Sequence, residues 1–124
     1  MSGLGRLDAI TIDCADALRL ARFWAGVFGT DVGASDGEGP HYVDLLPVPG
    51  VPTLRFQRVP EPKVTKNRLH LDVSVEDLEE ACARVEALGG RRISEQPRTE
   101  YDYEWLVMAD PEGNEFCLVI RHEA

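Results

Sequence analysis

The sequence predicts an α+β fold in which one unit, a strand followed by a helix and three more strands (βαβββ), occurs twice. Residues 7–14 and 69–75 each alternate apolar and polar side chains, which is the period of a half-buried strand. Each segment precedes a stretch with apolar residues at helical spacing that ends in glycine, a residue that tolerates the left-handed conformation of a helix C-terminus. A shift of 61 residues aligns Asp16 with Asp77 and Gly29 with Gly90, which indicates an internal repeat.

The first repeat covers about residues 6–60. Its helix is predicted to begin after Asp16, a residue type that accepts hydrogen bonds from the first helical amides, and to end at Gly29. Trp24 lies on the apolar stripe of this helix, so we expect it in the core. Three strands are expected near residues 30–34, 41–46 and 53–59, and the proline-rich residues 47–52 join the last two.

The second repeat covers about residues 66–121 and follows the same order. Glu76 and Asp77 open its predicted helix, which ends at Gly89 and Gly90. Strands are expected near residues 91–95, 103–109 and 115–121, and the sequence DPEGN at 110–114 predicts a tight hairpin turn. Because the link at residues 60–63 is too short to separate two domains, the sequence predicts one domain of residues 1–124.

The strand alternation also predicts which side chains line a cleft. The apolar residues Ile10, Ile12 and Val73 must lie under helices, so the polar residues between them face the other way. The candidate ligand-binding residues on that second face are Thr11, Asp13, Arg55, Gln57, His70, Asp72 and Cys117. Tyr103 and Trp105 are expected near the mouth of the cleft, where they would cover a flat ligand. Polar groups in this arrangement favour a small-molecule pocket.

Charge and composition argue against several classes of function. The chain has 13 Lys and Arg against 22 Asp and Glu, a net charge of −9, which is opposite to that of most proteins that bind nucleic acid or anionic lipid. No segment approaches the ~20 apolar residues of a membrane span, and the N-terminus has no basic segment followed by an apolar core, so we expect a cytoplasmic protein. Three cysteines without a C-x-x-C pair exclude a disulfide framework and a structural zinc cluster.

Four segments make the chain resemble the vicinal oxygen chelate superfamily, which includes glyoxalases, bleomycin and fosfomycin resistance proteins and extradiol dioxygenases. They are LDAITI at 7–12, FWAGVFG at 23–29, DPEGNEF at 110–116 and KNRLHLD at 66–72, the last of which is most similar to small glyoxalase-like proteins. The resemblance covers residues 6–121. It implies that the two repeats curl into a half-open barrel around a cleft, with the helices on the outer face, and that the protein is a homodimer.

Metal-using members of this superfamily take their ligands from the first and last strands of each repeat. The resemblance carries these positions onto Ala9, His70, Cys117 and either Arg55 or Gln57. Of these residues, only His70 matches the usual ligand type, and one such ligand does not hold a hard divalent cation. We therefore expect no cofactor; if a divalent metal is bound, its ligands are His70, Gln57 and Cys117.

Three functions remain open at this point. The resemblance and the incomplete ligand set favour a protein that binds a small organic molecule, cationic or aromatic, in its cleft without a full metal site, as bleomycin resistance proteins do. The second is an enzyme, a glyoxalase-type lyase or isomerase or a dioxygenase-related protein with a divalent metal, in which His70 and Asp72 are the candidate catalytic pair. The third is a partner-binding module whose cleft is vestigial.

Overall fold

The computed structural model describes residues 3–122, and the chain divides into two compact units, Met1–Pro62 and Lys63–Ala124. The boundary falls in the proline-containing segment between the two sequence repeats. Each unit contains one helix and one mixed sheet, so the α+β class and the twofold repeat are confirmed. Within residues 3–122, neither helix has the length and apolar character needed to cross a membrane.

The first unit contains β1 (Ala9–Cys14), α1 (Ala17–Phe28), β2 (Val32–Ser35), β3 (Tyr42–Leu45) and β4 (Thr53–Arg58). Its sheet has the order β1-β4-β3-β2, in which β1 runs parallel to β4 and the other pairs are antiparallel. The helix α1 lies against β3 and β4. Leu54 and Phe56 are buried on this side, as the alternation predicts.

The second unit contains β5 (Asp72–Ser74), α2 (Leu78–Ala87), β6 (Arg91–Arg92), β7 (Arg98–Glu100), β8 (Tyr103–Ala109) and β9 (Glu115–Arg121). Its sheet has the order β5-β9-β8-β6, with β5 parallel to β9, and β7 pairs with β8. The helix α2 lies against β6, β8 and β9. The order therefore repeats that of the first unit, with β7 added.

Both helices begin at the predicted aspartates. The side chain of Asp16 accepts a hydrogen bond from the amide of Arg19, and that of Asp77 accepts one from Glu80. The first helix ends at Gly29, whose φ of 69° lies in the left-handed region that favours glycine. The two helices therefore begin at aligned sequence positions, each with an aspartate that accepts an N-cap hydrogen bond.

The first two strands of the second unit are shorter than the sequence predicts. Alternation over residues 69–75 yields only Asp72–Ser74 as a strand. The strand predicted near 91–95 stops after Arg92, because the hydroxyl of Ser94 accepts the hydrogen bond from the amide of Val107 in place of a backbone carbonyl. Pairing with β8 resumes at Arg98, which creates β7, a strand that the sequence does not predict.

The core positions of the described chain follow the predicted faces. Trp24 is 1% exposed and makes ring contacts with Phe23 and Phe28 on the same helix. In the second unit, Phe116 and Leu118 are buried. The three cysteines, Cys14, Cys82 and Cys117, are buried and unbonded to one another.

Candidate functional site

A cavity of about 540 Å³ lies in the second unit. Its size falls within the range of ordinary small-molecule sites. The residues that line it are Lys66, His70, Asp72, Glu100, Tyr101, Tyr103, Trp105, Val107, Glu115, Phe116, Cys117 and Val119. Five residues predicted to bind a ligand or to act in catalysis, namely His70, Asp72, Tyr103, Trp105 and Cys117, are therefore brought together.

Strand alternation places most of the lining on one face of the sheet. On β8, Tyr103, Trp105 and Val107 line the cavity, whereas the intervening Leu106 is buried in the core. The pairing of β8 with β9 puts Val107 beside Cys117. We call this side of the second unit's sheet the cavity face. Because α2 covers the opposite face, the period of two separates core residues from ligand-accessible residues.

Three potential metal ligands meet on the cavity face and form what we call the donor cluster: His70, Asp72 and Cys117. One donor atom from each residue lies within 4.8 Å of the other two. Asp72 and Cys117 are register partners on the parallel strands β5 and β9, and the amide of Cys117 donates to the carbonyl of Leu71 at 2.9 Å. The Nε2 atom of His70 is 3.5 Å from Oδ1 of Asp72.

The thiol of Cys117 is held in its protonated form. Burial raises the pKa of this thiol above its ordinary value, and the carboxylate of Asp72 raises it further, while the positive charge of Lys66 acts in the other direction. Since the thiolate is the nucleophilic form, Cys117 is a weak nucleophile near neutral pH. In its protonated form, Cys117 contributes an uncharged, weakly polar group to the cavity lining.

Glu115 contributes a carboxylate whose charge is partly matched by two lysines. Its Oε1 lies 2.9 Å from Nζ of Lys63, and its Oε2 lies 3.9 Å from Nζ of Lys66. Burial acts to raise the pKa of Glu115, but the hydrogen bond and charge of Lys63, together with the charge of Lys66, outweigh it and lower the pKa. Its Oε2 is buried and accepts no hydrogen bond from the described residues.

Asn67 positions Glu115 through a pair of hydrogen bonds. Its side-chain oxygen accepts from the amide of Glu115 at 2.9 Å, and its side-chain nitrogen donates to the carbonyl of Glu115 at 3.3 Å. These are the hydrogen bonds that the backbone of a neighbouring strand would otherwise make with Glu115. The Asn67 side chain makes them because it precedes the start of β5. The sequence did not identify Asn67 as a positioning residue, because its partner Glu115 lies 48 residues further along the chain.

Tyr101, Tyr103 and Trp105 form what we call the aromatic wall. Glu100 pairs with Tyr103, so Tyr101 and Asp102 make the tip of a hairpin. Tyr101 has φ = 54°, a left-handed conformation that costs a non-glycine residue about 1–2 kcal/mol, and it is 92% exposed. Glu100 was missed by the sequence analysis because β7, which carries it, was not predicted.

Four predicted ligand-binding residues belong to the first unit. Thr11 and Asp13 lie on β1, directly opposite Arg55 and Gln57 on β4. Arg55 makes a two-pronged contact with Asp44, with distances of 2.8 Å from Nε to Oδ1 and 3.0 Å from Nη2 to Oδ2. The cavity lining described above comes from the second unit, so a ligand-binding role for these four residues stays a prediction.

Strand register identifies the first-unit counterpart of Cys117. Thr11 pairs with Arg55 in the first unit, and Asp72 pairs with Cys117 in the second. Because the shift of 61 residues aligns Thr11 with Asp72, Arg55 is the counterpart of Cys117. The choice between Arg55 and Gln57 that the sequence left open is thereby made in favour of Arg55, which is not a metal ligand.

The donor cluster does not fit the oxygen-rich site that a hard divalent cation requires. It offers one imidazole nitrogen, one carboxylate and one sulfur, whereas Mg²⁺ and Mn²⁺ favour oxygen ligands. Nitrogen and sulfur ligands suit zinc and related cations better. The nearest further carboxylate on β9, that of Glu115, is bound to Lys63.

Comparison with known proteins identifies the family but gives no curated relative. The model of the glyoxalase-like domain matches residues 9–119. A search of curated proteins found no match.

Several solved structures share the fold at low sequence identity. A glyoxalase/bleomycin resistance protein/dioxygenase family enzyme from Burkholderia phytofirmans PsJN is 19% identical, with a TM-score of 0.76 over 94% of this chain and 99% of that one. TioX from Micromonospora sp. ML1 is 19% identical, with a TM-score of 0.65 over 96% and 100%. The fosfomycin resistance protein FosX from Listeria monocytogenes, solved with Mn(II) and a dihydroxypropylphosphonic acid, is 16% identical, with a TM-score of 0.72 over 99% and 93%. At these identities the likeness establishes the fold alone, and the family match over residues 9–119 shows that the chain belongs to the glyoxalase-like domain family of the vicinal oxygen chelate superfamily.

Proposed function

We propose that the protein binds a small, flat organic cation in the cavity of its second unit. The observation that carries this proposal is the composition of the cavity lining, in which the aromatic wall stands beside three carboxylates and one lysine. The carboxylates are those of Asp72, Glu100 and Glu115.

The aromatic wall supplies the contact area for such a ligand. A cation over the face of an aromatic ring gains about 0.5–1 kcal/mol at exposed sites and about 2 kcal/mol or more when desolvated. Tyr103 is 41% exposed, and the guanidinium of Arg121 stands 5.7 Å from the centre of its ring, a contact that supports the affinity of this ring for cations. Trp105 is the most electron-rich ring of the wall and is only partly exposed, so we expect it to make the strongest contact.

The carboxylates determine the sign of the preferred ligand. Glu115 is already matched by Lys63 and Lys66, so Asp72 and Glu100 supply most of the negative charge that a ligand meets. The net charge of −9 over the whole chain adds a long-range attraction for cations. An anionic ligand would meet repulsion from both sources.

The direct test compares two ligands of the same shape. N-methylacridinium is a flat permanent cation, and acridine is its uncharged counterpart in mildly alkaline buffer. We expect fluorescence titration to show tighter binding of the cation, and expect Trp105→Ala to weaken it by about tenfold, or 1.4 kcal/mol. Equal affinity of the two compounds for the unmodified protein would contradict the proposal.

A matched variant separates a local charge effect from a global one. Glu80 lies on α2, which covers the opposite face of the sheet, so Glu80→Gln changes the net charge by the same amount as Glu100→Gln. We expect Glu100→Gln to weaken binding of N-methylacridinium and Glu80→Gln to leave it nearly unchanged. If both variants weaken binding equally, the attraction comes from the overall charge and not from the cavity.

A second candidate function is an enzyme that moves a proton. The observation in its favour is the pair of His70 and Asp72, whose Nε2 and Oδ1 atoms are 3.5 Å apart at the cavity. Imidazole is the common acid–base group near neutral pH. The test measures thioester formation from the adduct of methylglyoxal and glutathione, which His70→Ala should abolish. If the unmodified protein shows no turnover with or without added divalent metal, the glyoxalase reaction is excluded.

A homodimeric state and a cytoplasmic location remain predictions from the sequence. Sedimentation equilibrium tests the first, since a dimer has twice the 13.8 kDa mass of the chain. Fractionation of cells that express the protein tests the second.

A further inference from the structure

We propose that Glu115 is the hydrogen-bond acceptor for an N–H group at one end of the cavity's ligand, and that Lys66 is the side chain which this group displaces. The preferred ligand is then an elongated flat cation with a terminal N–H rather than a fully alkylated one. This inference rests on the proposed function, because it concerns the same cavity and the same class of ligand. It adds the residue that discriminates one flat cation from another.

One carboxylate oxygen of Glu115 has no hydrogen-bond partner among the described residues. Its Oε1 lies 2.9 Å from Nζ of Lys63, whereas its Oε2 is buried and accepts no hydrogen bond. The Nζ atom of Lys66 is 3.9 Å from Oε2, which is beyond hydrogen-bond distance. Because a buried acceptor without a partner is unfavourable, an N–H group that donates to Oε2 gains more than the same group gains at an exposed carboxylate.

The acceptor is charged and held in position. Burial raises the pKa of Glu115, but the hydrogen bond and charge of Lys63 outweigh it and lower the pKa, so the group is a carboxylate at neutral pH. Asn67 binds both the amide and the carbonyl of Glu115, and the pairing of β9 with β8 sets Glu115 opposite Ala109. A hydrogen bond to a charged acceptor of this kind is stronger than one to a neutral acceptor.

The distance between Glu115 and the aromatic wall determines the shape of the ligand. Both Glu115 and Trp105 line the cavity. Trp105 pairs with Val119, which is four residues from Glu115 on β9, or about 13 Å along an extended strand. A ligand that stacks on Trp105 therefore reaches Glu115 only with a group at the end of its long axis.

Lys66 is free to give up its place beside Glu115. Because Oε2 of Glu115 is buried, a neighbouring side chain must move before a ligand can reach it. Lys66 lines the cavity and its side chain is 72% exposed, so turning its ammonium group towards solvent costs little. Lys63 is bound both to Oε1 of Glu115 and to the carbonyl of Thr65, so we expect it to stay in place.

The test compares proflavine with acridine orange by fluorescence titration. Both are flat acridine cations at neutral pH, but proflavine has a primary amino group at each end of its long axis, whereas acridine orange has dimethylamino groups without N–H. We expect proflavine to bind about tenfold more tightly, and Glu115→Met to reduce this preference to about twofold or less. Glu115→Gln, which keeps the size and an uncharged acceptor, should give an intermediate preference.

The ratio of the two affinities separates recognition from a structural role. Both dyes have the same ring system and charge, so a general disturbance of the cavity changes their affinities together. Glu100→Gln removes another carboxylate of the cavity lining and should weaken both dyes alike, which leaves the ratio unchanged. Circular dichroism checks that each variant is folded.

Lys66→Met tests the displacement step. The variant keeps the methylene stem and removes the ammonium group, and the exposure of this side chain means that the fold should be retained. Proflavine no longer competes with the ammonium group, so we expect its preference over acridine orange to rise about threefold. An unchanged or lower preference would overturn the assignment of Lys66.

The outcome for Glu115 is distinguishable from that for the proposed function. Equal binding of the two dyes to the unmodified protein, or a preference that survives Glu115→Met or is lost in Glu100→Gln, would overturn the role of Glu115. The proposed function fails by a different result, namely that N-methylacridinium binds no more tightly than uncharged acridine. If none of these cations binds, both are refuted.

Discussion

The two units place different chemistry on three equivalent positions of their two sheets. The positions are occupied by Thr11, Asp44 and Arg55 in the first unit and by Asp72, Val107 and Cys117 in the second. In the first unit, Arg55 and Asp44 bind each other through two hydrogen bonds. In the second unit, the corresponding Cys117 and Val107 are neighbours without charge, and both line the cavity.

Under the proposed function, this difference explains why a cation would bind in the second unit and not in the first. The guanidinium of Arg55 is matched by the carboxylate of its neighbour Asp44, so little unbalanced charge remains for a ligand. Replacing that pair by a thiol and a valine shortens two side chains, while Asp72 in place of Thr11 adds a carboxylate at the edge. The second unit therefore has both the space and the charge that a cation needs.

The largest expected effect comes from transferring the first unit's ion pair to the second. In Cys117→Arg combined with Val107→Asp, the new side chains should fill the cavity face and neutralise each other. We expect N-methylacridinium affinity to fall about 100-fold, or 2.7 kcal/mol, with the circular dichroism spectrum retained. A folded double variant that binds the dye as before would refute the comparison.

Asp72 supplies a smaller, purely electrostatic part of the difference. Asp72→Asn should weaken N-methylacridinium binding by about tenfold, or 1.4 kcal/mol, in isothermal titration at low salt, and the loss should shrink as salt is added. The same variant should lower the pKa of Cys117, since the carboxylate of Asp72 is one of the two causes that raise it. Iodoacetamide alkylation as a function of pH measures that pKa; an unchanged or higher value would contradict the prediction.

Tyr101 tests the part of the site that has no counterpart in the first unit. Tyr101→Gly should relieve the left-handed strain at the hairpin tip, whereas the greater flexibility of glycine in the unfolded chain offsets part of the gain. We therefore expect the free energy of unfolding to rise by at most about 1 kcal/mol. The same change should weaken N-methylacridinium binding about threefold, because one ring of the aromatic wall is lost. Urea unfolding and dye titration measure the two effects, and a variant that loses both stability and affinity would point to a purely structural role.

Cys117 should also make stability depend on alkaline pH. Its pKa is raised in the folded state from an ordinary value of 9.0, so the folded protein retains the thiol proton more tightly than the unfolded chain. The resulting stability is complete below the unfolded pKa and is lost as pH rises from about 9 through the folded pKa. The urea midpoint of the unmodified protein should therefore fall more steeply over this range than that of Cys117→Ala; parallel curves would exclude this linkage.

The helix boundaries and the faces of the strands were predictable from the sequence because they depend on residues that are close together in the chain. The caps Asp16 and Asp77 and the left-handed Gly29 determine where helices begin and end, whichever residues pack around them. The alternation of residues 115–119 likewise predicted the faces of β9, so the presence of Cys117 on a cleft-lining face was predictable.

The unpredicted features depend on contacts between distant segments. The amide of Asn67 binds Glu115, and the hydroxyl of Ser94 binds Val107, which are separations of 48 and 13 residues. No short-range pattern reveals either contact. The interruption at Ser94 creates β7 and with it the position of Glu100, so this part of the site required the structure.

The most direct measurement is the location of the ligand by backbone amide NMR of isotopically labelled protein titrated with N-methylacridinium. We expect saturable shifts concentrated in the second unit, at Tyr103, Trp105, Val107 and Cys117, with small changes at Asp44 and Arg55. Shifts centred on Asp44 and Arg55, or none at saturating dye, would contradict the assignment of the binding site to the second unit.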